Sequence, residues 1–277
     1  SAQQNRWETL TASASGFASD VYETYNLDAS SAAARKPYSQ LKDWSMLSYI
    51  GRVVYTLKDK YIITGNMRID GSSRFGKDNK YGYFPSGALT WKMKEEDFMK
   101  DIDWLSDLKI RTSYGLSGNA NAIKPYQTLS KLSYAAYNFN NQEAAGYYES
   151  NMPSSNLKWE TTNQLDLGLD VSVFNRRLSL TLDYYHKKTK DLVRSISIPT
   201  ISGFPSTYAN MGDRVNKGIE IGINSVNFDG DFTWKTSLMV AGNRNELTSV
   251  GDGSDKIGTD HWVGTPINIG KRYRIKA

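Results

Sequence analysis

The stretch Gln164–His186, with the sequence QLDLGLDVSVFNRRLSLTLDYYH, decides the fold of this chain. Every second residue from Leu165 to Val173 is aliphatic, and the residues between them are polar or glycine. A helix would mix the two sets on each surface, so the period of two predicts a strand with one apolar and one polar face. The pattern resumes at Leu178 after the tripeptide Asn175–Arg177, which predicts an antiparallel hairpin with a tight turn.

The connections between strand-like segments differ sharply in length along the chain. Residues 58–60 and residues 227–230 join two further pairs of strand-like segments by short links. An up-and-down sheet places successive connections on opposite edges, so one edge is predicted to carry short turns and the other large loops. This asymmetry is typical of outer-membrane β-barrels, which have short periplasmic turns and long outer loops. The long connections are Gly71–Tyr81, Leu116–Lys158 and Lys187–Lys217.

Composition excludes several classes of protein. No window of the 277 residues approaches the ~20 apolar residues that a membrane helix needs. The chain has no cysteine, which excludes a disulfide scaffold and a thiolate metal site. The net charge of +5 comes from basic residues interleaved with 29 acidic ones, so no nucleic-acid partner is predicted. Ser1–Leu10 lacks the basic and apolar regions of a signal peptide, so we expect a mature, processed or partial chain.

Alternating strands occur both in membrane barrels and in soluble sheets that pack one face on a core. Predicted strands of about 10 residues suit a tilted span of lipid better than a globular sheet, where five or six residues are typical. Aromatic residues near strand ends favour the membrane alternative, because such residues form girdles at the two lipid interfaces. These aromatics are Tyr49, Tyr55, Tyr61, Tyr83, Trp91, Tyr114, Trp159, Tyr184, Tyr185 and Trp234. The residues alone leave open a soluble exported all-β module that binds glycans or serves in adhesion.

The number of predicted strands indicates an incomplete barrel. There are about nine if Trp7–Phe17 is the first, whereas bacterial single-chain barrels have even numbers and no edge exposed to lipid. The final segment Thr259–Ala277 ends in a basic run (Lys271, Arg272, Arg274 and Lys276) rather than in a strand. We therefore predict an all-β fold, part of an antiparallel up-and-down transmembrane β-barrel.

Several motifs, in order along the chain, resemble the barrel of the SusC/RagA-type TonB-dependent transporters of Bacteroidetes. Three of them are LSYIGRVVYTL at Leu47–Leu57, RIDGSSRFG at Arg68–Gly76 and YGYFPSGALTW at Tyr81–Trp91. Others are KDKY at Lys58–Tyr61, LKIRTSYGLSGN at Leu108–Asn119, NLKWETT at Asn156–Thr162, LSLTLDYYHKKTKDL at Leu178–Leu192 and NMGDRVNKGIE at Asn210–Glu220.

The resemblance implies an outer-membrane importer with a barrel of about 22 strands. In that family an N-terminal plug domain fills the barrel, and a SusD-like lipoprotein closes over the outer mouth and captures a glycan or peptide. TonB then pulls the plug to open a path. Residues 1–277 are expected to be one partial barrel domain, without the plug domain and the C-terminal closing strands, and to have lipid of the outer membrane as a neighbour.

Nine charged residues lie opposite the apolar set and are predicted to face the lumen of the complete barrel. Charges in a confined lumen need partners, so most of them are expected to pair with each other or with the plug. Direct contact with the substrate is expected of a minority. The nine are Arg52, Arg68, Asp70, Arg111, Asp166, Asp170, Asp183, Glu220 and Lys235.

The long connections supply a second set of candidates, predicted to contact either the substrate or the lipoprotein lid. Aromatic faces stack on sugars and peptides and amides donate hydrogen bonds, but aromatic residues also favour protein interfaces. The candidates are Tyr126, Tyr134, Tyr137, Asn138, Tyr147, Tyr148 and Phe204.

No cofactor, metal ion or catalytic residue is predicted. The acidic residues of Asp70–Asn79 are too few and too widely spaced for a calcium loop, so turn formation is the expected role of this segment. His186 and His261 lie in unrelated segments and do not have the spacing of a metal-binding motif. The many carboxylates do not exclude a glycosidase pair, but nothing in the sequence picks out two of them.

Overall fold

The computed structural model describes residues 1–17, 27, 30, 36–251, 256–257 and 261–266. Nine strands form one antiparallel sheet in the order β1-β2-β3-β4-β5-β8-β9-β12-β13. The strands of this sheet are β1 (Ala2–Ser13), β2 (Lys36–Leu57), β3 (Tyr61–Ser72), β4 (Tyr81–Lys92), β5 (Leu105–Asn119), β8 (Glu160–Val173), β9 (Leu178–Lys190), β12 (Asp213–Asp229) and β13 (Thr233–Ser249). The described residues also form three two-stranded sheets: β6 (Leu132–Phe139) with β7 (Gln142–Glu149), β10 (Val193–Ser197) with β11 (Ser206–Asn210), and β14 (Lys256–Ile257) with β15 (His261–Trp262).

The all-β antiparallel fold is confirmed. The helical elements with described bounds are short 3-10 turns, at residues 77–79, 93–95, 97–99 and 200–202. None of these described elements has the length and apolar character of a membrane-spanning helix.

The connections divide between the two edges of the sheet, as predicted. The short-turn edge carries residues 58–60, 93–104, 174–177 and 230–232, and the long-connection edge carries residues 73–80, 120–159 and 191–212. The 93–104 connection is longer than expected because it contains two 3-10 turns. Two of the predicted loops are also more ordered than expected, since they contain the hairpins β6–β7 and β10–β11.

The pairing register places apolar and polar residues on opposite faces of the sheet. Directly paired residues on neighbouring strands form rows that run across the sheet, and all members of a row lie on the same face. One row across six strands is apolar: Trp91, Ile110, Leu169, Leu182, Ile221 and Val240. The adjacent row is polar or small: Thr90, Arg111, Gly168, Asp183, Glu220 and Ala241. A slip of one residue would exchange the faces of a strand, so this alternation specifies the register.

The apolar face of the sheet is exposed. Val53 on β2 is 72% exposed and Leu238 on β13 is 53% exposed, and no second layer of the described residues covers them. A continuous apolar surface of this kind marks contact with a membrane or another protein. The face differs in this respect from that of a soluble sandwich, whose second sheet would bury it.

The main buried cluster lies in the long connections rather than beneath the sheet. We call it the loop cap. Trp159 is 6% exposed and stacks on Phe75 with ring centroids 4.5 Å apart, while Phe84 of β4 meets its edge at 5.5 Å. The loop cap comprises Phe75, Phe84, Ala120, Ile123, Leu157 and Trp159.

Several details of the sequence prediction are wrong. Trp159 lies in the loop cap instead of an aromatic girdle, and Tyr185 lies on the polar face opposite Asp166. The first strand runs from Ala2 to Ser13 rather than over Trp7–Phe17. Its partner β2 extends back to Lys36, so that every residue of β1 is paired. Nothing in the sequence indicates this extension, because this part of the ladder lacks the alternation of apolar and polar residues. The basic run 271–276 lies outside the described residues.

Candidate functional site

The nine charged residues predicted from the sequence all occupy the polar face. Direct cross-strand pairs relate some of them: Asp183 lies opposite Glu220, and the other seven fall on the same face through the continuous register from β2 to β13. Their shared face follows from sequence alternation. Which of them contact each other depends on side-chain length and on the residues between them.

Arg111 joins three strands at the centre of the polar face. Its Nε and Nη2 donate to the two carboxylate oxygens of Asp170 at 2.8 and 3.0 Å, and Nη2 also donates to Asp183 at 2.9 Å. A fork of this kind gives geometric specificity as well as attraction. Gly168 lies beneath the guanidinium, where a Cβ atom would come within 2.6 Å of Arg111 Cζ. The glycine therefore lets one arginine cross β8 and hold carboxylates on two strands.

The remaining members of the nine have local partners or none within the described residues. Arg68 donates from Nε to Asp70 at 2.6 Å. Asp166 accepts hydrogen bonds from Ser113 at 2.8 Å and from Gln164 at 2.7 Å. The side chains of three charged residues make no ion pair with any described residue: Arg52, Glu220 and Lys235.

A second polar cluster lies at the short-turn edge. Glu96 accepts hydrogen bonds from Lys60 Nζ at 2.8 Å, from the Tyr61 hydroxyl at 2.6 Å and from Trp91 Nε1 at 3.1 Å. The Lys60 ammonium is the largest of the influences that lower the pKa of Glu96, to about 2, and Glu96 in turn raises the pKa of Lys60. Tyr61 and Trp91 stack at 6.2 Å. This cluster fastens the 93–104 connection to the end of the β3–β4 pair.

The tyrosines predicted in the first long connection divide between two faces of the β6–β7 hairpin. Tyr134 and Tyr147 pair across the hairpin in an edge-on contact of 6.2 Å, and Asn138 shares their face. Tyr137 and Tyr148 lie on the other face. Both faces are largely exposed. The structure therefore offers two separate aromatic surfaces where the sequence suggested one set.

The two other loop candidates lie outside that hairpin. The Tyr126 hydroxyl hydrogen bonds the carboxylate of Asp43 and accepts from its backbone N–H at 3.0 Å, and Asp43 raises the pKa of the phenol. Phe204 lines a groove of about 290 Å³ between the 124–131 and 150–152 segments and the β10–β11 hairpin. The candidates are thus spread along the long-connection edge rather than gathered at one point.

Arg74 is a residue that the sequence analysis missed. Its Nη1 donates to the carbonyls of Ala120 at 3.1 Å and Ile123 at 3.4 Å and to Asn121 Oδ1 at 3.0 Å. Its guanidinium lies 4.1 Å from the centroid of the Trp44 ring. Arg74 belongs to the RIDGSSRFG motif, but its role could not be predicted from that motif, because its hydrogen-bond partners are more than 40 residues away.

The structure is consistent with turn formation by Asp70–Asn79. Asp70 is buried and paired with Arg68, and the Ser72 hydroxyl accepts a hydrogen bond from the Arg74 N–H at 3.3 Å. In the described ranges no three His, Cys, Asp or Glu residues are grouped as metal ligands would be. His186 lies on the apolar side of β9, between Leu165 and Lys217 of the adjacent strands.

Comparisons with known proteins agree with this architecture. The family described as "TonB dependent receptor-like, beta-barrel" matches residues 2–274. TonB-dependent receptor P3 of Formosa agariphila is 42% identical over 249 residues, which are 90% of this chain and 25% of that protein. TonB-dependent receptor SusC of Bacteroides thetaiotaomicron is 37% identical over 268 residues, which are 92% of this chain and 26% of that protein.

Solved structures give the same result. The structure of the RagAB peptide transporter superposes with a TM-score of 0.82 at 28% identity, over 96% of this chain and 30% of the matched chain. The predicted likeness to SusC/RagA-type transporters is confirmed, and the chain spans about a quarter of the length of its curated relatives. Proteins of this kind are outer-membrane transporters of Gram-negative bacteria, not enzymes. The match over residues 2–274, together with the two-faced antiparallel sheet, shows that this chain belongs to the TonB-dependent receptor β-barrel family.

Proposed function

We propose that this chain is part of the barrel wall of an outer-membrane nutrient importer that takes up glycans or peptides. The observation that carries the proposal is the placement of nine charged residues on one face of a sheet whose other face is apolar and exposed. In a closed barrel the first face lines the lumen and the second contacts lipid. A soluble exported module would need another layer to cover the apolar face.

The lumen face would meet the plug domain and the substrate. Arg111 already satisfies Asp170 and Asp183, so this part of the face serves mainly to hold β5, β8 and β9 together. Arg52, Glu220 and Lys235 make no ion pairs within the described residues, so they are the better candidates for contact with the plug or substrate. We assign no catalytic role to any of these residues.

The long-connection edge would form the outer mouth. Its exposed β6–β7 hairpin presents Tyr134 and Tyr147 on one face and Tyr137 and Tyr148 on the other. We propose that one face contacts a SusD-like lipoprotein and that the other contacts substrate. The complete barrel would have about 22 strands. TonB would act on it through the plug domain, which we propose lies outside residues 1–277.

The test is to isolate the full-length protein from detergent-extracted outer membranes and to measure its intact mass and its partners. We expect a mass above about 100 kDa, because this chain of 31.2 kDa spans 25% of a relative's length. We also expect a copurifying lipoprotein, and uptake of a glycan or peptide that stops when TonB is deleted. A protein near 31 kDa in the soluble fraction would contradict the proposal and favour the soluble binding module.

A further inference from the structure

A large groove lies at the long-connection edge, between the β1–β2 ladder and the segment that joins β5 to β6. Its volume is about 1220 Å³. Trp7 pairs with Lys42 and Asn5 pairs with Trp44, so these four side chains share the face that lines the groove. The volume exceeds the ~300–1,000 Å³ of typical small-molecule sites, so the groove has room for a chain of linked units.

The lining of the groove is basic. Lys42, Arg74, Lys124 and Lys131 contribute to it, and no aspartate or glutamate does. The ammonium groups of the three lysines make no ion pair or hydrogen bond with another described residue. Nearby positive charges without counter-ions raise the local concentration of anions, and this effect is stronger in a concave site than on a flat surface.

Arg74 gives independent support for an anionic ligand. It is 9% exposed, and no carboxylate pairs with it in the described part of the chain. Its Nη1 donates to Ala120, Asn121 and Ile123, while its buried Nε has no hydrogen-bond partner. Burial lowers its pKa. Burying a charge without an opposite charge is costly, and an anion in the groove would offset that cost.

The remaining lining residues suit sugar rings. The Trp7 side chain is 74% exposed, so its indole face is open for stacking. The amides of Asn5 and Gln40 can donate to and accept from sugar hydroxyls, and the Asn121 amide can donate while its Oδ1 accepts from Arg74. A peptide would instead take backbone hydrogen bonds from a free strand edge. The strand β2 is paired with β1 and with β3, and a closed barrel would also pair the outer edge of β1.

We propose that this groove binds an anionic oligosaccharide, a chain of sugar rings that carries carboxylate or sulfate groups. The inference rests on the proposed importer function and specifies its substrate class. The lysines and Arg74 would hold the anionic groups, and Trp7 would stack on a ring. Carboxylate and sulfate share this chemistry and are distinguished by the probes below.

The experiment is isothermal titration calorimetry on the detergent-solubilised full-length protein with four probes of equal length. They are a neutral oligosaccharide, an oligouronate, a sulfated oligosaccharide and oligoglutamate. We expect the triple variant Lys42→Ala, Lys124→Ala and Lys131→Ala to bind the preferred anionic sugar at least about tenfold more weakly, with unchanged neutral-sugar binding. The control variant replaces three exposed lysines elsewhere on the same edge, Lys77, Lys80 and Lys190, and should bind like the wild type.

Trp7→Ala tests the stacking contact, with Trp104→Ala as its control because Trp104 is exposed on the short-turn edge. We expect about fivefold weaker binding for Trp7→Ala and no change for Trp104→Ala.

The proposal is overturned if the neutral sugar binds as tightly as the charged ones, if both lysine triples behave alike, or if oligoglutamate binds most tightly. The last result would identify an acidic-peptide site. Membrane location and TonB-dependent uptake of the wild-type protein are measured separately, so failure of the groove is distinguishable from failure of the importer function.

Discussion

The sheet and the loop cap treat their apolar side chains in opposite ways. Leu167 lies in the middle of β8 and is 46% exposed, whereas Trp159, one residue before that strand, is almost fully buried. No described residue covers the apolar face of the sheet, and under the proposed function lipid would cover it. The loop cap packs with residues of its own segment. The comparison shows that the apolar side chains of the loop cap are buried by residues of the same chain, whereas those of the sheet are left exposed.

The largest effect is expected from a substitution in the loop cap. Trp159→Ala removes the stacking partner of Phe75 and the edge contact with Phe84, and large-to-small changes of this kind cost about 3–5 kcal/mol. We expect faster hydrogen exchange in residues 116–123 and 154–160 of the full-length protein, with little change in the strands. Trp104→Ala is the control because its side chain is exposed. Equal effects of the two variants would contradict a cap with its own core.

The second prediction tests the two faces of the wall. Ile221 lies in the apolar row, between Leu182 and Val240, and Asn224 lies on the polar face of the same strand. Ile221→Arg should cost about 2–4 kcal/mol, the penalty for arginine on the lipid face near the bilayer midplane. Asn224→Arg should cost much less. Outer-membrane abundance and denaturant unfolding in lipid vesicles measure both, and a larger penalty for Asn224→Arg would reverse the assignment of the faces.

The third prediction asks whether the polar face is tightly packed where Arg111 crosses it. Gly168→Ala places a Cβ within 2.6 Å of both Arg111 Cζ and Asp183 Oδ1, and overpacking of this kind costs about 1–3 kcal/mol. Gly222→Ala is the matched control, because its Cβ would meet only Thr181 Cβ at 3.9 Å. Unfolding of the full-length protein measures both. The cost of Gly168→Ala should fall when Arg111 is also replaced by alanine, and an unchanged cost would exclude the guanidinium as its cause.

The wall could be predicted from the sequence to a large extent, because its information is local. The alternation from Leu165 to Val173 assigns each residue to a face without knowledge of its neighbours. All nine charged candidates share one face for this reason. The contacts among them were not predictable: the link from Arg111 to Asp170 and Asp183 depends on a glycine at 168 that leaves room for the guanidinium.

The loop cap could not be predicted in the same way. Trp159 resembles a girdle residue because it adjoins a strand, but it is buried by residues of the 73–80 connection, of β4 and of its own 120–159 connection. Arg74 resembles a turn residue until its partners at 120–123 are known. The β6–β7 hairpin was missed for another reason: its strands carry aromatics on both faces, so they have no apolar and polar alternation. Long-range packing without a period decides these regions.

The smallest expected effect concerns the short-turn edge, where a polar cluster takes the place of the apolar packing of the loop cap. The pKa of Glu96 is about 2 in the folded protein against an ordinary value of 4.5, because Lys60, Tyr61 and Trp91 donate to its carboxylate. A depressed pKa means that the ionised group stabilises the folded state above about pH 4.5. This contribution is lost as the pH falls from there toward about 2.

Glu96→Gln should therefore lower the unfolding midpoint at neutral pH, and the difference from wild type should shrink between about pH 4.5 and pH 2. Glu95→Gln is the control, since Glu95 is exposed and has no ion pair with a described residue. A constant difference between Glu96→Gln and wild type would mean that the hydrogen bonds, rather than the charge, hold this turn, and that the two edges of the wall are less different than the structure indicates.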